Sequence, residues 1–268
     1  MFRCPVCRGD LDDSRDATTW HCADGHSYDV AREGYVNLLA GKAARHKTAG
    51  DDADMVKARR TFLGTGAYDP VRDAVLDRVA DTGAVLDVGC GEGHYLAPLD
   101  GDDRRAIGGI DLSKPAVRLA AKRASTIRYA VASAYDVPVH DASVTTVVNV
   151  FGPVAPEELL RVLRPDGGAV VTASPAPRHL TQLKRLVLDT ADEHELAPPA
   201  GITATFDRLD TTRLTYDIEV AQPALTALLA MTPYAWRASP SAKEQLEATD
   251  RLTITVDVLV TLSRSSPR

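Results

Sequence analysis

Three cysteines and a histidine near the N-terminus have the spacing of a metal site. They form two short pairs, Cys4-x2-Cys7 and Cys22-x3-His26, separated by residues 8–21. Pairs of this kind in tight turns supply the four ligands of a tetrahedral zinc site. Because four protein ligands leave no position for water, the predicted zinc is structural, and its binding would stabilise a segment with too small a core of its own. His21 is an alternative fourth ligand, but its adjacency to Cys22 gives it poorer geometry.

A second candidate site is the glycine-rich run Asp87-Val88-Gly89-Cys90-Gly91-Glu92-Gly93, which follows an apolar segment. Asp111 ends the next predicted strand, where an acidic side chain can accept hydrogen bonds from ribose hydroxyls. The dinucleotide fingerprint G-x-G-x-x-G would need its third glycine at position 94, which is His94. The compact G-x-G-x-G, with an acid two residues before it, instead resembles motif I of class I S-adenosylmethionine methyltransferases. Cys90 is expected to be a small packing residue.

The composition limits the class of protein and the partners to be expected. The chain has 268 residues, of which 44% are hydrophobic and 25% charged. This is enough for one α/β domain of about 200 residues with a smaller appendage, and it excludes a disordered or collagen-like chain. The net charge of −6 argues against bulk adhesion to nucleic acid or an anionic membrane, although a local basic patch could still bind RNA. With no signal peptide and no apolar run of about 18 residues, a cytoplasmic location without membrane contact is expected.

Hydrophobic patterns predict the elements that hold the loop. Strand and helix patterns alternate from about residue 68, which predicts a doubly wound, mostly parallel sheet with an antiparallel C-terminal edge. The predicted domains are a zinc ribbon at 1–40, a basic linker and helix at 41–67 and the sheet domain at 68–268. Predicted strands are 84–88, 106–110, 127–131, 144–151 and 169–173, with an antiparallel pair at 213–220 and 252–262; predicted helices are 70–80, 114–123 and 179–194.

Four further blocks carry a family resemblance: Arg32–Leu39, Ala58–Leu63 with Gly66–Tyr68, Pro177–Leu180 and Met231–Arg237. With the cysteine pairs and the glycine loop, they resemble the RlmA family of large-subunit rRNA guanine-N1 methyltransferases, which includes tylosin-resistance enzymes of actinomycetes. The resemblance extends from Cys4 to about Arg237. It implies a class I methyltransferase fold, Rossmann-like, with an N-terminal zinc ribbon.

The resemblance also implies S-adenosylmethionine and structural Zn²⁺ as cofactors, and a homodimer that binds a hairpin of 23S rRNA. The implied zinc ligands are Cys4, Cys7, Cys22 and His26. Together with the glycine loop, it gives these expected cofactor-binding residues: Tyr68, Asp87, Gly89, Gly91, Glu92, Gly93, His94, Asp111 and His179.

Two segments depart from common methyltransferase patterns. Asn149–Pro153 occupies the position of motif IV but lacks the acidic, double-proline pattern of exocyclic-amine methylases, which favours a ring-nitrogen target. Ser133 stands where many class I enzymes place an aspartate against the adenine. Tyr234 and Trp236 are expected to pack in the core, with base stacking as the less favoured alternative.

The target guanine hides N1 on its Watson–Crick edge, so it would have to be rotated out of an RNA loop before methylation. Asp136, His140 and His179 are candidate bases for its proton, and no catalytic residue is assigned. Two basic clusters beside the predicted ribbon could contact RNA phosphates. Their candidate residues are Lys42, Arg45, Lys47, Arg59 and Arg60.

Two rival functions remain open at this point. One is a class I methyltransferase of a small natural product, in which the zinc ribbon is a structural brace. The other is a non-catalytic scaffold that binds the cofactor only to order an RNA-binding surface. Among rRNA enzymes, the composition, typical of a GC-rich genome, favours the actinomycete type that confers macrolide resistance.

Overall fold

A computed structural model describes residues 1–14, 17–40, 50–188 and 198–265. The strands are β1 (Thr19–His21), β2 (Ser27–Asp29), β3 (Tyr35–Asn37), β4 (Gly83–Val88), β5 (Arg105–Asp111), β6 (Arg128–Val131), β7 (Thr146–Val150), β8 (Ala169–Pro175), β9 (Phe206–Ala221) and β10 (Arg251–Ser265). The α-helices are α1 (Ala53–Leu63), α2 (Asp69–Leu76), α3 (Lys114–Arg123), α4 (Pro156–Val162), α5 (Thr181–Val187), α6 (Ala200–Thr205), α7 (Ala224–Ala230) and α8 (Pro240–Glu247).

One large sheet organises the described part of the chain, with strand order β3-β6-β5-β4-β7-β8-β10-β9. Neighbouring strands in the series β3-β6-β5-β4-β7-β8 pair in parallel. By contrast, β10 runs antiparallel to β8, and β9 runs antiparallel to β10. The predicted mostly parallel sheet with an antiparallel C-terminal edge is therefore confirmed. Because β4 has β5 on one side and β7 on the other, the chain direction across the sheet reverses at β4, and a ligand crevice is expected at its carboxyl end.

Each predicted strand and helix corresponds to an observed element, but some ends differ. Strand β9 begins at Phe206, seven residues before the predicted start at 213. Helix α3 has the predicted bounds, and Ser113 caps it by accepting a hydrogen bond from the Ala116 N–H. The helix predicted at 70–80 is α2, which ends at Leu76. The helix predicted at 179–194 is observed as Thr181–Val187, and the part of that prediction beyond residue 188 lies outside the described residues.

The N-terminal segment shares a core with the large sheet. Strand β3 pairs with β6 and forms one edge of the large sheet. Phe2, Trp20 and Val36 belong to the same buried cluster as Leu86 and Ile110 of β4 and β5. Side chains that were too few for an independent core are therefore buried against the large sheet.

Ion pairs also join the N-terminal segment to the rest of the chain. Arg3 lies 2.7 Å from Asp141, and Arg8 lies 2.8 Å from Asp136. Among the described helices, none is long and apolar enough to cross a lipid bilayer.

Candidate functional site

The four predicted zinc ligands lie together. The Sγ atoms of Cys7 and Cys22 are 3.5 Å apart, Cys22 Sγ is 3.3 Å from His26 Nδ1, and all four ligand atoms, including that of Cys4, lie within 4.8 Å of one another. Tetrahedral zinc with bonds of about 2.0 to 2.3 Å separates its ligands by roughly 3.5 to 3.8 Å. The residues therefore fit Zn²⁺. The Tyr28 hydroxyl, 3.2 Å from Cys4 Sγ, can donate to that thiolate and orient it.

The glycine loop leaves β4 and is tied to the end of β5 by Asp111. The Asp111 carboxylate accepts the N–H of Gly91 at 2.9 Å on one oxygen and the N–H of Ser113 at 2.8 Å on the other. Gly89 and Gly91 have φ of 83° and 53°, a region that favours glycine. Asp111 thus fixes the loop and lines the space beside it.

A cleft of about 240 Å³ lies against this loop. Its wall includes Gly89, Gly91, Asp111 and Ser133, and Tyr135 stands at its rim with 68% of its surface exposed. A Cβ added to Gly91 would meet one described atom within 4 Å, Cδ of Arg59 at 3.9 Å, so a side chain there would project into the cleft. The loop is therefore shaped to let a ligand approach its backbone.

In the part of the chain that the structure describes, Asp87 is a buried acid without a partner beside the loop. The side chain is 2% exposed, and neither carboxyl oxygen has a hydrogen-bond donor among the described residues. Burial, followed by repulsion from Asp111, raises its pKa to about 8. A positively charged ligand beside the loop would stabilise the ionised carboxyl. S-adenosylmethionine has both a sulfonium and an ammonium group, so the cleft and this unpaired acid fit it.

A second, larger cavity of about 510 Å³ opens beside the cleft. The two share Asp51, Arg59, Phe151 and Gly152 in their walls. Asp51 and Arg59 form an ion pair there. The other walls of the second cavity are largely apolar. They include Met55, Tyr68, Pro175, Leu180, Met231 and Tyr234.

Sequence reasoning had missed two of the shared residues. Asp51 lies in the segment 41–67, which is predicted as a basic linker and helix, and Phe151 lies in the segment Asn149–Pro153 without a predicted role of its own. Phe151 follows β7 with φ of 52°, an uncommon conformation for a bulky residue, and its ring stacks on His179 at 5.6 Å. Positive φ at such a residue is visible only in the structure.

Tyr68 and His179 are brought together in the second cavity. The His179 Nδ1 accepts the backbone N–H of Asp257 at 3.2 Å, so the neutral ring has its proton on Nε2. Nε2 lies 3.1 Å from the Tyr68 hydroxyl oxygen and donates to it. The hydroxyl hydrogen of Tyr68 can then point toward a ligand. With Nδ1 already accepting a hydrogen bond, His179 is a positioning residue rather than a base.

Three other predicted cofactor residues, at the end of the loop and just after it, do not line the cleft. Glu92 is 1% exposed and pairs with Arg123 at 2.8 Å. His94 is buried, and burial followed by the charge of Arg123 lowers its pKa to about 4. A Cβ on Gly93 would lie 2.8 Å from the Tyr129 hydroxyl, so Gly93 allows close packing. Glu92 and His94 line a small cavity of about 40 Å³ beneath the loop.

The remaining candidate bases lie away from the cavities. Asp136 is engaged by Arg8, and His140 lies 3.1 Å from Asp10 of the N-terminal segment. The expectation that Trp236 packs in the core is wrong, since 76% of its surface is exposed at the mouth of the second cavity, whereas Tyr234 does pack against the core.

The predicted RNA contacts separate into three groups. Arg60 is exposed on α1, whereas Arg59 points into the cavities. Lys42, Arg45 and Lys47 lie outside the described residues.

Comparison of the sequence with known families finds two matches. Residues 2–47 match the model of the RlmA N-terminal zinc ribbon, and residues 85–167 match a methyltransferase domain. The 23S rRNA (guanine(748)-N(1))-methyltransferase of Streptomyces fradiae is 35% identical over 278 residues, covering 99% of this chain and 97% of its own. A Bacillus subtilis protein assigned as a 23S rRNA (guanine-N(1)-)-methyltransferase is 32% identical over 272 residues, covering 96% and 95%.

Solved structures show the same fold at low identity. A chain from the complex of the Haloferax volcanii Trm112 methyltransferase activator with its methyltransferase is 19% identical, with a TM-score of 0.51, covering 81% of this chain and 99% of its own. The [4+2]-cyclase SpnF is 20% identical, with a TM-score of 0.50 and coverage of 75% and 82%. Since one of these is a cyclase, the shared fold alone does not show methyl transfer.

Proposed function

Because the chain belongs to the RlmA family of 23S rRNA (guanine-N1)-methyltransferases, we propose that it transfers a methyl group from S-adenosylmethionine to N1 of a guanine in a hairpin loop of 23S rRNA. The observation that carries this proposal is the pair of cavities. The cleft against the glycine loop shares a wall with the 510 Å³ cavity, so a methyl donor in one can face an acceptor in the other. The structural zinc site of the ribbon lies on the same chain.

The residues of the chain act mainly by positioning. Bound S-adenosylmethionine supplies a methyl group on positively charged sulfur, and in-line transfer then requires the acceptor nitrogen to be held close to it. Met55, Met231 and Tyr234 offer apolar walls for a flat base rotated out of the loop. Trp236, exposed at the mouth of this cavity, can stack on a neighbouring base of the RNA.

The contacts with RNA phosphates are part of the proposal. Arg60 on the exposed side of α1, with Lys42, Arg45 and Lys47 before it in the sequence, would bind the backbone of the hairpin. An rRNA substrate supports a cytoplasmic location. The resemblance to the RlmA family, which includes tylosin-resistance enzymes, supports a homodimer and a role in macrolide resistance.

Methylation of unmodified RNA tests the proposal. Wild-type protein is incubated with 23S rRNA lacking base modifications and with labelled S-adenosylmethionine, and the product is read by primer extension. N1 methylation blocks Watson–Crick pairing, so reverse transcriptase should stop at one guanine of a hairpin loop. Transfer to a small metabolite with rRNA untouched, or a methyl group on another atom, would overturn the assignment.

A further inference from the structure

Asn149 lies on β7, and its side chain lines the second cavity although it is 2% exposed. Its Nδ2 donates to the carbonyl oxygen of Val88 at 2.7 Å and to that of Pro153 at 3.1 Å. Carbonyl oxygens only accept hydrogen bonds, so these two contacts decide which end of the amide is nitrogen. Both amide hydrogens are thereby used.

The Oδ1 of Asn149 is the atom left for a ligand. It accepts no hydrogen bond within the described residues. The two hydrogen bonds of Nδ2 fix the orientation of the amide, and Gly152 leaves room for it, because a Cβ at that position would lie 2.8 Å from Nδ2. A buried acceptor, fixed in direction and lining a cavity, requires a donor from whatever occupies the cavity.

This inference rests on the proposed function. The Watson–Crick edge of guanine has two donor groups, N1–H and the 2-amino group, and one acceptor, O6. During transfer the N1 electron pair forms the bond to the methyl carbon, the C–S electrons return to sulfur, and the N1 proton leaves to water. The new bond occupies the position of the N1 hydrogen, so that position must face the methyl donor and cannot face Asn149.

We infer that Asn149 Oδ1 accepts a hydrogen bond from the 2-amino group of the target guanine and so selects guanine. The 2-amino group is adjacent to N1 on the same edge. Adenine has a C–H at this position and would leave the buried oxygen unpaired, which is the type of mismatch that a hydrogen-bonding site rejects most strongly.

Inosine tests this inference, since it lacks the 2-amino group and keeps N1–H and O6. The substrates are two synthetic RNA hairpins, with guanine or inosine at the nucleotide mapped by primer extension, and single-turnover methylation rates are measured for each. The proteins are wild type, Asn149→Ala and Thr172→Val. Thr172 is the register partner of Asn149 on β8 and lines none of the cavities described above, so it is the matched control.

Wild type and Thr172→Val should methylate the guanine hairpin about 10- to 100-fold faster than the inosine hairpin. In Asn149→Ala this ratio should fall to near one. The ratio is taken within one variant, so a smaller folded fraction of Asn149→Ala cancels. An Asn149→Ala protein that keeps the wild-type ratio, or a wild type that does not discriminate, would refute the inference. Failure of wild type to methylate the guanine hairpin at all would instead refute the proposed function.

Discussion

The buried carboxyl of Asp87 should make the protein less stable as the pH rises. Its pKa is about 8 in the fold, against 3.8 for the exposed group. Between these values the folded chain binds a proton that the unfolded chain has lost, so the free energy of unfolding falls with rising pH. At 1.36 kcal/mol per pKa unit, the contribution reaches about 4 kcal/mol at pH 7 and levels off at about 6 kcal/mol above pH 8.

Asp87→Asn removes this dependence because the amide does not ionise. Its two N–H groups have no partners in the pocket, which costs roughly 1 to 3 kcal/mol at every pH. The difference in unfolding free energy, variant minus wild type, should therefore be within about 1 kcal/mol of zero at pH 5.5. It should rise by about 1.4 kcal/mol per pH unit and become flat above pH 8.

Urea unfolding of both proteins without cofactor, from pH 5.5 to 9, measures this difference. Glu157→Gln is the matched acid-to-amide control, because Glu157 is an exposed acid on α4. A variant-minus-wild-type difference that stays level from pH 5.5 to 8 would show that Asp87 is ionised in the fold, and the argument from burial would fail.

Three further predictions follow from the contacts. Cys22→Ser should lose zinc and lower the melting temperature of the whole described fold, because the metal segment shares a core with the large sheet. Calorimetry and metal analysis measure the two effects, and an unchanged thermal transition would contradict this prediction. Asp111→Asn should weaken S-adenosylhomocysteine binding by about 10- to 100-fold in calorimetry, because its NH2 group would face one of the two backbone N–H groups that the carboxylate accepts. Equal affinity would remove the role assigned to Asp111. Gly93→Ala should destabilise the protein by more than Gly101→Ala in urea unfolding. Both glycines have positive φ, but only a Cβ at Gly93 would meet Tyr129. Equal losses of unfolding free energy would show that backbone strain is the whole effect.

Local patterns were sufficient to predict the centre of the sheet. Apolar runs bounded by turns identified β4 through β8, and alternating residues identified the antiparallel pair. The zinc ligands could be predicted for a related reason, since ligand spacing within two tight turns is itself local. Helix ends were less predictable where no strong stop signal follows, as at Leu76 of α2.

Residues whose role depends on distant partners could not be predicted. Arg59 belongs to a basic cluster in the sequence, but in the fold it pairs with Asp51 and lines the cavities. Trp236 has a large apolar side chain of the kind usually found in a core, but the turn Pro233–Trp236 leaves it exposed at the mouth of the second cavity. Neither charge nor hydrophobicity at a single position indicates which surface a long-range contact will cover.

The edge strand β3 connects the metal-binding segment to the wall behind the cofactor loop. Tyr35 of β3 is the register partner of Tyr129 on β6, and Tyr129 packs against Gly93 and Gly109 beside the cofactor loop. The segment that holds the metal thus continues into the strand that supports the wall behind this loop. Interiors are close-packed, so a shift of β3 would be felt at the loop. Zinc is therefore expected to affect cofactor affinity, although its ligands line none of the three cavities described above.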